Sequence, residues 1–283
     1  MIIVKKAKDL QAYLDDCRQK KQSIGFVPTM GALHDGHISL LKFCVEENQV
    51  TVCSIFVNPA QFNDLSDFQK YPSTLDQDIY KLETNGCNIL FLPNTEEIYP
   101  NGIGKKRHFD LGYLETILEG EFRPGHFQGV CMAVERLLQI VQPDTLYLGQ
   151  KDYQQCLIIT KLVEIMGIDK KMKIRICPIL REKDGLAMSS RNLRLDEEQR
   201  ARAHGIYETL LFLKQNFGKE SLNDLKKEAA GLLQQKGFKP DYVEITDAET
   251  LKPVNELNSS KKILGLAAAY IDNIRLIDNI LLS

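Results

Sequence analysis

The sequence has no excess of positive charge. Its 36 Lys and Arg face 38 Asp and Glu, a net charge of −2, whereas a broad nucleic-acid surface leaves a basic footprint. It has no long hydrophobic run either. The longest spans 263–271, and only with Gly265 counted; crossing a bilayer takes about 20 apolar residues. Residues 1–8 begin apolar and turn basic, the reverse of a secretory signal. Cysteine is present without a pattern: 7 residues, an odd number, scattered and never as C-x-x-C. That reads as buried, reduced thiols of a cytoplasmic protein. There is no internal repeat and no low-complexity tract. The G-x-x-x-x-G-K-S/T loop and the G-x-G-x-x-G fingerprint are also missing, which disfavours a Walker-type ATPase and a dinucleotide dehydrogenase.

What is there is the composition of a folded protein, 43% apolar and 26% charged over 283 residues. At roughly 150 residues per domain the chain makes one large or two ordinary domains. Up to residue 181, short apolar strands alternate with amphipathic helices. Strands are predicted at 23–28, 50–57, 88–92, 145–148 and 173–180, and helices at 37–48, 73–85, 129–141 and 153–166. The run 50–57 is almost unbroken apolar, as a strand buried on both faces of a parallel sheet should be. The helix at 73–85 opens with Ser73 and Asp76 in capping-box spacing and is closed by Gly86. The helix at 129–141 sets Val130, Val134, Leu137, Leu138 and Val141 on one face. Such alternation implies right-handed βαβ units and a parallel sheet, with ligands beyond the carboxyl ends of its strands. After Arg181 the pattern changes. Long polar helices at 196–217 and 221–235 precede short strands near 242–245, 263–270 and 273–277. The expected fold is α/β: a Rossmann-like parallel-sheet N-terminal domain over 1–181 and a smaller α+β C-terminal domain over 182–283, with a hinge at 181–192.

The sharpest chemical feature is PTMGALHDGHISLL, 28–41. His34 and His37 stand three apart where a helix begins, so they share one face. Gly31 and Gly36 remove Cβ atoms where a phosphate would come close, and a helix start adds N–H groups and a partial positive charge. Together these favour a phosphate, with neutral imidazoles donating to charge that grows in a transition state. A metal site and a purely structural histidine pair compete with that reading; His108, His126 and His204 offer no evident third ligand. In GQKDYQQ, 149–155, Lys151 lies between a strand and a helix, where its ammonium can reach a phosphate or remain a solvated surface charge, and Asp152 can be an N-cap. KDGLAMSSRN, 183–192, follows a turn at Asp184 and Gly185 with Ser189, Ser190 and Arg191, a phosphate clamp or a capped turn. SIFVNPAQFN, 54–63, ends a strand with Asn58 and Gln61, amides suited to a small polar substrate or to loop capping. LEGEFRPGHFQGV, 118–130, sets Arg123 and His126 around Pro124 and Gly125, a clamp or a rigid helix entry.

In this order, and over essentially the whole chain, these segments resemble the pantothenate synthetase (pantoate–β-alanine ligase) family of the HIGH-type nucleotidyl-transfer superfamily. The resemblance rests on PTMGALHDGH, SIFVNPAQF, RPGHFQGV, QPDTLYLGQKDYQQ, DGLAMSSRN and the terminal RLIDN; a lone H-x-G-H would carry far less. It implies a ligase of coenzyme A precursor biosynthesis that forms pantoyl adenylate and pyrophosphate from pantoate and ATP, then pantothenate and AMP on attack by β-alanine. It implies catalytic roles for His34, His37, Lys151 and Arg191, with His37 at the position of the family's proton donor. The implied ATP site comprises Met30, Gly31, Ala32, Leu33, His34, Asp35, Gly36 and His37, then Gly149, Gln150, Lys151 and Asp152, then Leu180, Met188, Ser189, Ser190 and Arg191. Asn58, Gln61, Arg123 and Gln155 are the implied substrate side, Gln61 lying also near β-alanine. Mg²⁺ is expected on the phosphates, with no protein ligand named. A cytoplasmic homodimer with no nucleic-acid or membrane partner is implied as well, its second domain closing as a lid that keeps water from the acyl adenylate. One departure is visible: the family often has Glu where this chain has Gln150, while Lys151 and Asp152 are kept, so activity is expected to survive. Two readings stop short of the full reaction, a nucleotidyltransferase that ends at nucleotide transfer and an ATP-sensing module without turnover. An RNA-binding synthetase relative is disfavoured by the balanced charge.

Overall fold

A computed structural model describes residues 1–63, 68–103, 107–254 and 262–283. The chain divides into two compact units. One is Met1–Gln150 with Gln155–Pro178, the other Lys151–Gln154 with Ile179–Ser283.

The first unit is built on a six-stranded parallel sheet in the order β1-β4-β3-β2-β5-β6. The strands are β1 (Ile2–Val4), β2 (Ile24–Thr29), β3 (Val50–Ile55), β4 (Ile89–Phe91), β5 (Thr145–Gly149) and β6 (Lys173–Cys177). Its principal helices are α1 (Ala7–Gln19), α2 (Asp35–Glu47), α3 (Leu75–Thr84), α4 (His126–Val141) and α5 (Tyr153–Ile165). Alternate strand residues feed two separate cores, as the two-residue strand period requires. Phe26, Val52, Ile89, Phe91, Leu146 and Leu148 face one side with Leu10 and Leu14 of α1, Val130 and Leu137 of α4 and Leu162 of α5. Val27, Cys53, Leu90 and Tyr147 face the other with Ile38 and Leu41 of α2 and Leu82 of α3. Each fully buried side chain of this size contributes about 1.5–3 kcal/mol, so both faces hold the sheet. After β2 the chain proceeds through β3 to β4 on one side, and β5 and β6 add on the other. The carboxyl ends of β2 and β5 therefore mark the topological switch point, where α/β sheets bind ligands.

The second unit has helices α6 (Gly205–Asn216) and α7 (Leu222–Gln235) and an antiparallel sheet β7 (Lys239–Asp247), β8 (Ile263–Ile271), β9 (Ile274–Leu281). Leu210 and Leu213 of α6 and Leu225 and Leu233 of α7 pack with Val243, Ile245, Ala267, Ala269 and Leu276 of the sheet. This is the mixed α/β architecture expected, with the antiparallel strands gathered at the C-terminal end.

Several boundaries depart from the sequence reading, each for a local reason. The strand β1 and helix α1 lie where no element was predicted. The helix expected from 37 begins at Asp35 with His34 as its N-cap. The capping box at Ser73 and Asp76 does not form: Thr74 is the N-cap, and its hydroxyl donates to Asp78 Oδ1 at 3.0 Å. The helix expected from 129 begins at His126, entered through Gly125 at φ +80. The strand expected to run to residue 180 stops at Cys177. The helix expected over 196–217 is two pieces, Glu197–Arg202 and α6, broken at Ala203 and His204. The stretch 181–192, read as a hinge, falls within the second unit, with Arg181 bridged to Ala187 and a 3-10 turn starting at Ser190.

Candidate functional site

The loop after β2 is held in an uncommon conformation. Gly31 has φ +82 and Ala32 φ +49; a non-glycine residue there costs on the order of 1 kcal/mol. The opposing force is visible. Asp78, 1% exposed, accepts the Ala32 N–H at 2.9 Å and the Leu33 N–H at 2.8 Å. Lys81, one turn on, donates to Leu33 O at 2.5 Å. A Cβ on Gly31 would lie 3.1 Å from Ile55 Cγ2 and 3.2 Å from Asp78 Oδ2, so the loop is both left-handed and closely packed there.

The loop delivers the chain into α2. Asp35 and Gly36 occupy its first turn, where N–H groups lack an intrahelical acceptor and the dipole is positive. The rings of His34 and His37 lie 4.0 Å apart, brought together by the cap rather than by a shared helix face. The His34 N–H points to His37 Nδ1 at 3.4 Å. With Nδ1 accepting, neutral His37 carries its proton on Nε2, which makes Nε2–H the ring's donor.

Beyond the carboxyl ends of β2, β3 and β4 lies a cavity of about 320 Å³. Met30 and Gly31 line it from β2, Phe56 and Val57 from β3, Leu92 and Pro93 from β4.

The turn after β3 is braced from behind. Asn58 is 2% exposed and its amide is committed: Nδ2 donates to Gly129 O and Gln61 Oε1, both at 3.0 Å, while Oδ1 accepts from Ala60 N at 3.1 Å and from the Tyr99 hydroxyl at 2.6 Å. Asn58 thus stands behind Gln61 in this structure rather than open beside it. Gln61 is half-buried and directs Nε2 at Met30 Sδ, 3.1 Å away. His126 Nδ1 meets Gln61 O at 2.8 Å, and Arg123 meets His126 Nε2 at 3.1 Å. A carbonyl can only accept, so Nδ1 carries the proton and Nε2 accepts from the guanidinium. Arg123 also lies 3.8 Å from Glu119. Arg123 and His126 therefore brace the Gln61 turn, the rigid-entry reading of that segment. Glycine is needed at 129 because a Cβ there would fall 2.1 Å from Ala60 O.

Gly149 ends β5 and Gln150 follows it, both half-buried. Gln155 is half-buried in the first turn of α5.

The remaining predicted residues fall in the second unit. Lys151 Nζ lies 3.9 Å from its neighbour Asp152. Leu180, 40% exposed, and Met188 face each other across a hairpin, with Met188 N–H donating to Leu180 O at 3.1 Å. Ser189 caps the turn Ser190–Arg194, its Oγ accepting the Arg191 N–H at 3.2 Å. The capped-turn reading thus holds for Ser189, whose hydroxyl proton is still available to donate. Ser190 is buried. At the root of the hairpin, Arg181 grips Asp278 with two nitrogens at 2.6 and 3.1 Å and stacks 4.0 Å over the Tyr207 ring. Burial pushes the Asp278 carboxyl up, and Arg181 opposes that shift.

Asp78, Asp278 and Asn279 were not singled out by residue type. Only RLIDN in the terminal strand signalled the last two. All seven cysteines are buried thiols outside any disulfide. Burial pushes the Cys44 and Cys131 thiols up to about 12, which leaves them protonated and poor nucleophiles. Among the described residues no group of three or more His, Cys, Asp or Glu could hold a metal ion, and no helix is long and apolar enough to cross a membrane.

The family model for pantoate-beta-alanine ligase matches residues 2–281. The pantothenate synthetase of Bacteroides thetaiotaomicron is 44% identical over 281 residues, covering 99% of this chain and 98% of that protein. A crystal structure of the pantothenate synthetase of Thermus thermophilus superposes with a TM-score of 0.91 at 37% identity, covering 100% of this chain and 99% of that one. The pantoate-beta-alanine ligase of Francisella tularensis, solved in complex with beta-gamma ATP and beta-alanine, gives 0.82 at 40% identity over 99% of this chain and 97% of that one. This chain belongs to the pantoate-beta-alanine ligase family.

Proposed function

We propose that this chain condenses pantoate with β-alanine at the expense of ATP, through pantoyl adenylate. The pantoate carboxylate attacks the α-phosphorus and pyrophosphate leaves. The β-alanine amine then attacks the acyl carbon, and AMP leaves with pantothenate formed. The substrates supply both nucleophiles, so the protein's work is alignment and charge stabilisation. That agrees with a site rich in amides, imidazoles and backbone N–H groups and with thiols locked in the core.

The observation that carries the reading is the loop 30–37. It stands at the topological switch point, is fixed by Asp78 and Lys81, and ends in a helix N-terminus with His37 Nε2–H as donor. We assign His34 and His37 with Met30 to Gly36, and Gly149, Gln150, Lys151, Asp152, Leu180, Met188, Ser189, Ser190 and Arg191, to ATP, with Lys151 and Arg191 countering phosphate charge. Gln61 and Gln155 are assigned to pantoate, with Asn58 and Arg123 acting on Gln61 through the bonds described.

Mg²⁺ belongs to the same proposal. Among the described residues no cluster of three or more His, Cys, Asp or Glu stands ready to hold an ion, and the donors and cations of the site suit one that phosphate oxygens and water would mainly carry; it would supply charge neutralisation on the triphosphate. The lid role of the C-terminal domain, residues 182–283, a homodimeric state and a cytoplasmic location complete the proposal.

Isotope exchange of pyrophosphate into ATP tests it. Exchange that requires pantoate, followed by AMP release on adding β-alanine, is the expected result. Exchange indifferent to pantoate, or none, overturns it.

A further inference from the structure

The terminal RLIDN segment lies on β9, and the function as described gives it no task. Its last two residues are 3% and 2% exposed. The Asn279 side chain donates from Nδ2 to the backbone carbonyl of Lys151 at 2.9 Å, across 128 residues of sequence. Its backbone N–H is tied to Asp278 Oδ1 at 2.8 Å. Asp278 in turn holds Arg181 in the two-nitrogen grip, and Arg181 also donates to Asn279 O at 3.2 Å and to Gly185 O at 3.0 Å. Arg181 and Ala187 form the bridge at the base of the hairpin that leads into Ser189, Ser190 and Arg191. The turn of the hairpin packs closely on α6: a Cβ on Gly185 would fall 2.1 Å from the Tyr207 ring.

We propose that Asn279 is a positioning residue for the nucleotide triphosphate: it fixes the Lys151 backbone, and with it the ammonium, in register with the Ser189–Ser190–Arg191 clamp that Asp278 secures through Arg181. The inference rests on the assignment of Lys151 to ATP made above. A lysine is a flexible point charge on a long arm, so its value to a phosphate depends on where its backbone is held. Lys151 sits in a short 3-10 turn, Gln150–Asp152, which offers little stiffness of its own. A bond from a buried strand amide supplies that stiffness, and the same strand carries the carboxylate that anchors the second cationic segment. Two stretches far apart in sequence are thereby held to one ruler.

A double-mutant cycle on the full-length protein tests this, reading the ATP and pantoate dependence of pyrophosphate exchange for Lys151→Ala, Asn279→Ala and the double variant. Asn279→Ala should raise the ATP KM about three- to ten-fold, the range of one hydrogen bond, and leave the pantoate KM within about two-fold. In the Lys151→Ala background the second substitution should add less than about two-fold to the ATP KM. Effects that multiply in the double variant show that Asn279 acts on the fold at large and overturn the inference. An intact ATP KM in Asn279→Ala beside an impaired Lys151→Ala overturns it alone. An unimpaired Lys151→Ala overturns the ATP assignment of that lysine and the inference with it. Should alanine at 279 depress folding, Asn279→Ser keeps a donor on a shorter arm and is read in the same cycle, with the same outcomes.

Discussion

The Asp78 carboxylate accepts the Leu33 N–H at 2.8 Å from a helix 45 residues further along the chain. With the bond to Ala32 it sets the geometry of the loop between β2 and α2. Asp78→Ala removes the carboxylate that accepts two buried N–H groups, at about 1–3 kcal/mol each, and loosens the hold on the left-handed conformation of Ala32. A fall of about 2–5 kcal/mol in unfolding free energy is expected, together with a raised ATP KM. Asp78→Asn keeps one acceptor oxygen and should fall between alanine and the parent. Urea unfolding with parallel kinetics measures both, and an unchanged midpoint in Asp78→Ala would contradict the anchoring role.

Gly129 bears on the other side of the site. A methyl group there would stand 2.1 Å from Ala60 O, a backbone atom of the turn carrying Gln61, so Gly129→Ala must displace that turn. The pantoate KM is expected to rise by at least about ten-fold, since an ångström of misplacement can cost far more, and the ATP KM to rise less. Gln61→Ala should show the same order. Steady-state kinetics with each substrate varied in turn decide it; an ATP KM that rises more than that of pantoate counts against Gln61 as the pantoate contact.

The strands β2 to β5 were legible because each is a short, largely apolar run between turn residues, and β6, Lys173–Cys177, because charged and apolar residues alternate along it. The ligand end of the sheet followed from the parallel alternation. The first βα unit was missed. β1 is three residues long with Ile2 and Ile3 exposed, whereas α1 sets Ala7, Leu10, Leu14 and Cys17 at the three- and four-residue spacing of one helix face, a signal that was present and passed over. The entry to α4 escaped for another reason: its N-cap is Gly125, with no hydroxyl or carboxylate to announce a helix. Within the site, motif residues were visible and their supports were not. Asp78 is one acidic residue in a polar helix until burial distinguishes it. Asn58 acquires its bracing role from Tyr99 and Gly129, 41 and 71 residues away, a distance at which spacing carries no signal.

The missed α1 supplies a pH dependence. Glu97 accepts the Ala7 N–H at 2.9 Å and Lys6 Nζ at 2.8 Å at the start of that helix, and the bond from Lys6 is foremost in holding its carboxyl below the usual range. A carboxylate depressed in the folded state contributes stability above its unfolded pKa, about 4.3, and loses it as pH falls through the folded value. Glu97→Gln should therefore be less stable than the parent by a constant margin from about pH 6 to 8, and the margin should close below about pH 4. Urea midpoints across that range measure it; a margin that persists at about pH 3 would assign the loss to packing instead of charge.

His37 offers the most direct test of the chemistry. Its Nδ1 faces the His34 N–H, which puts the ring proton on Nε2, the donor proposed above for the phosphate charge that grows as pantoate attacks. Removing a donor of that kind costs roughly 3–4 kcal/mol of barrier, so His37→Ala should slow single-turnover formation of pantoyl adenylate by about 10²–10³-fold. The tautomer makes a finer distinction. A glutamine amide nitrogen reaches about as far as Nε2, whereas an asparagine amide stops near Nδ1. His37→Gln should then retain more adenylate formation than His37→Asn, and His37→Asn should resemble His37→Ala. Rapid-quench measurement at saturating ATP and pantoate separates the variants. If asparagine rescues and glutamine does not, the reacting nitrogen is Nδ1, and the contact with His34 must break before the phosphate is engaged.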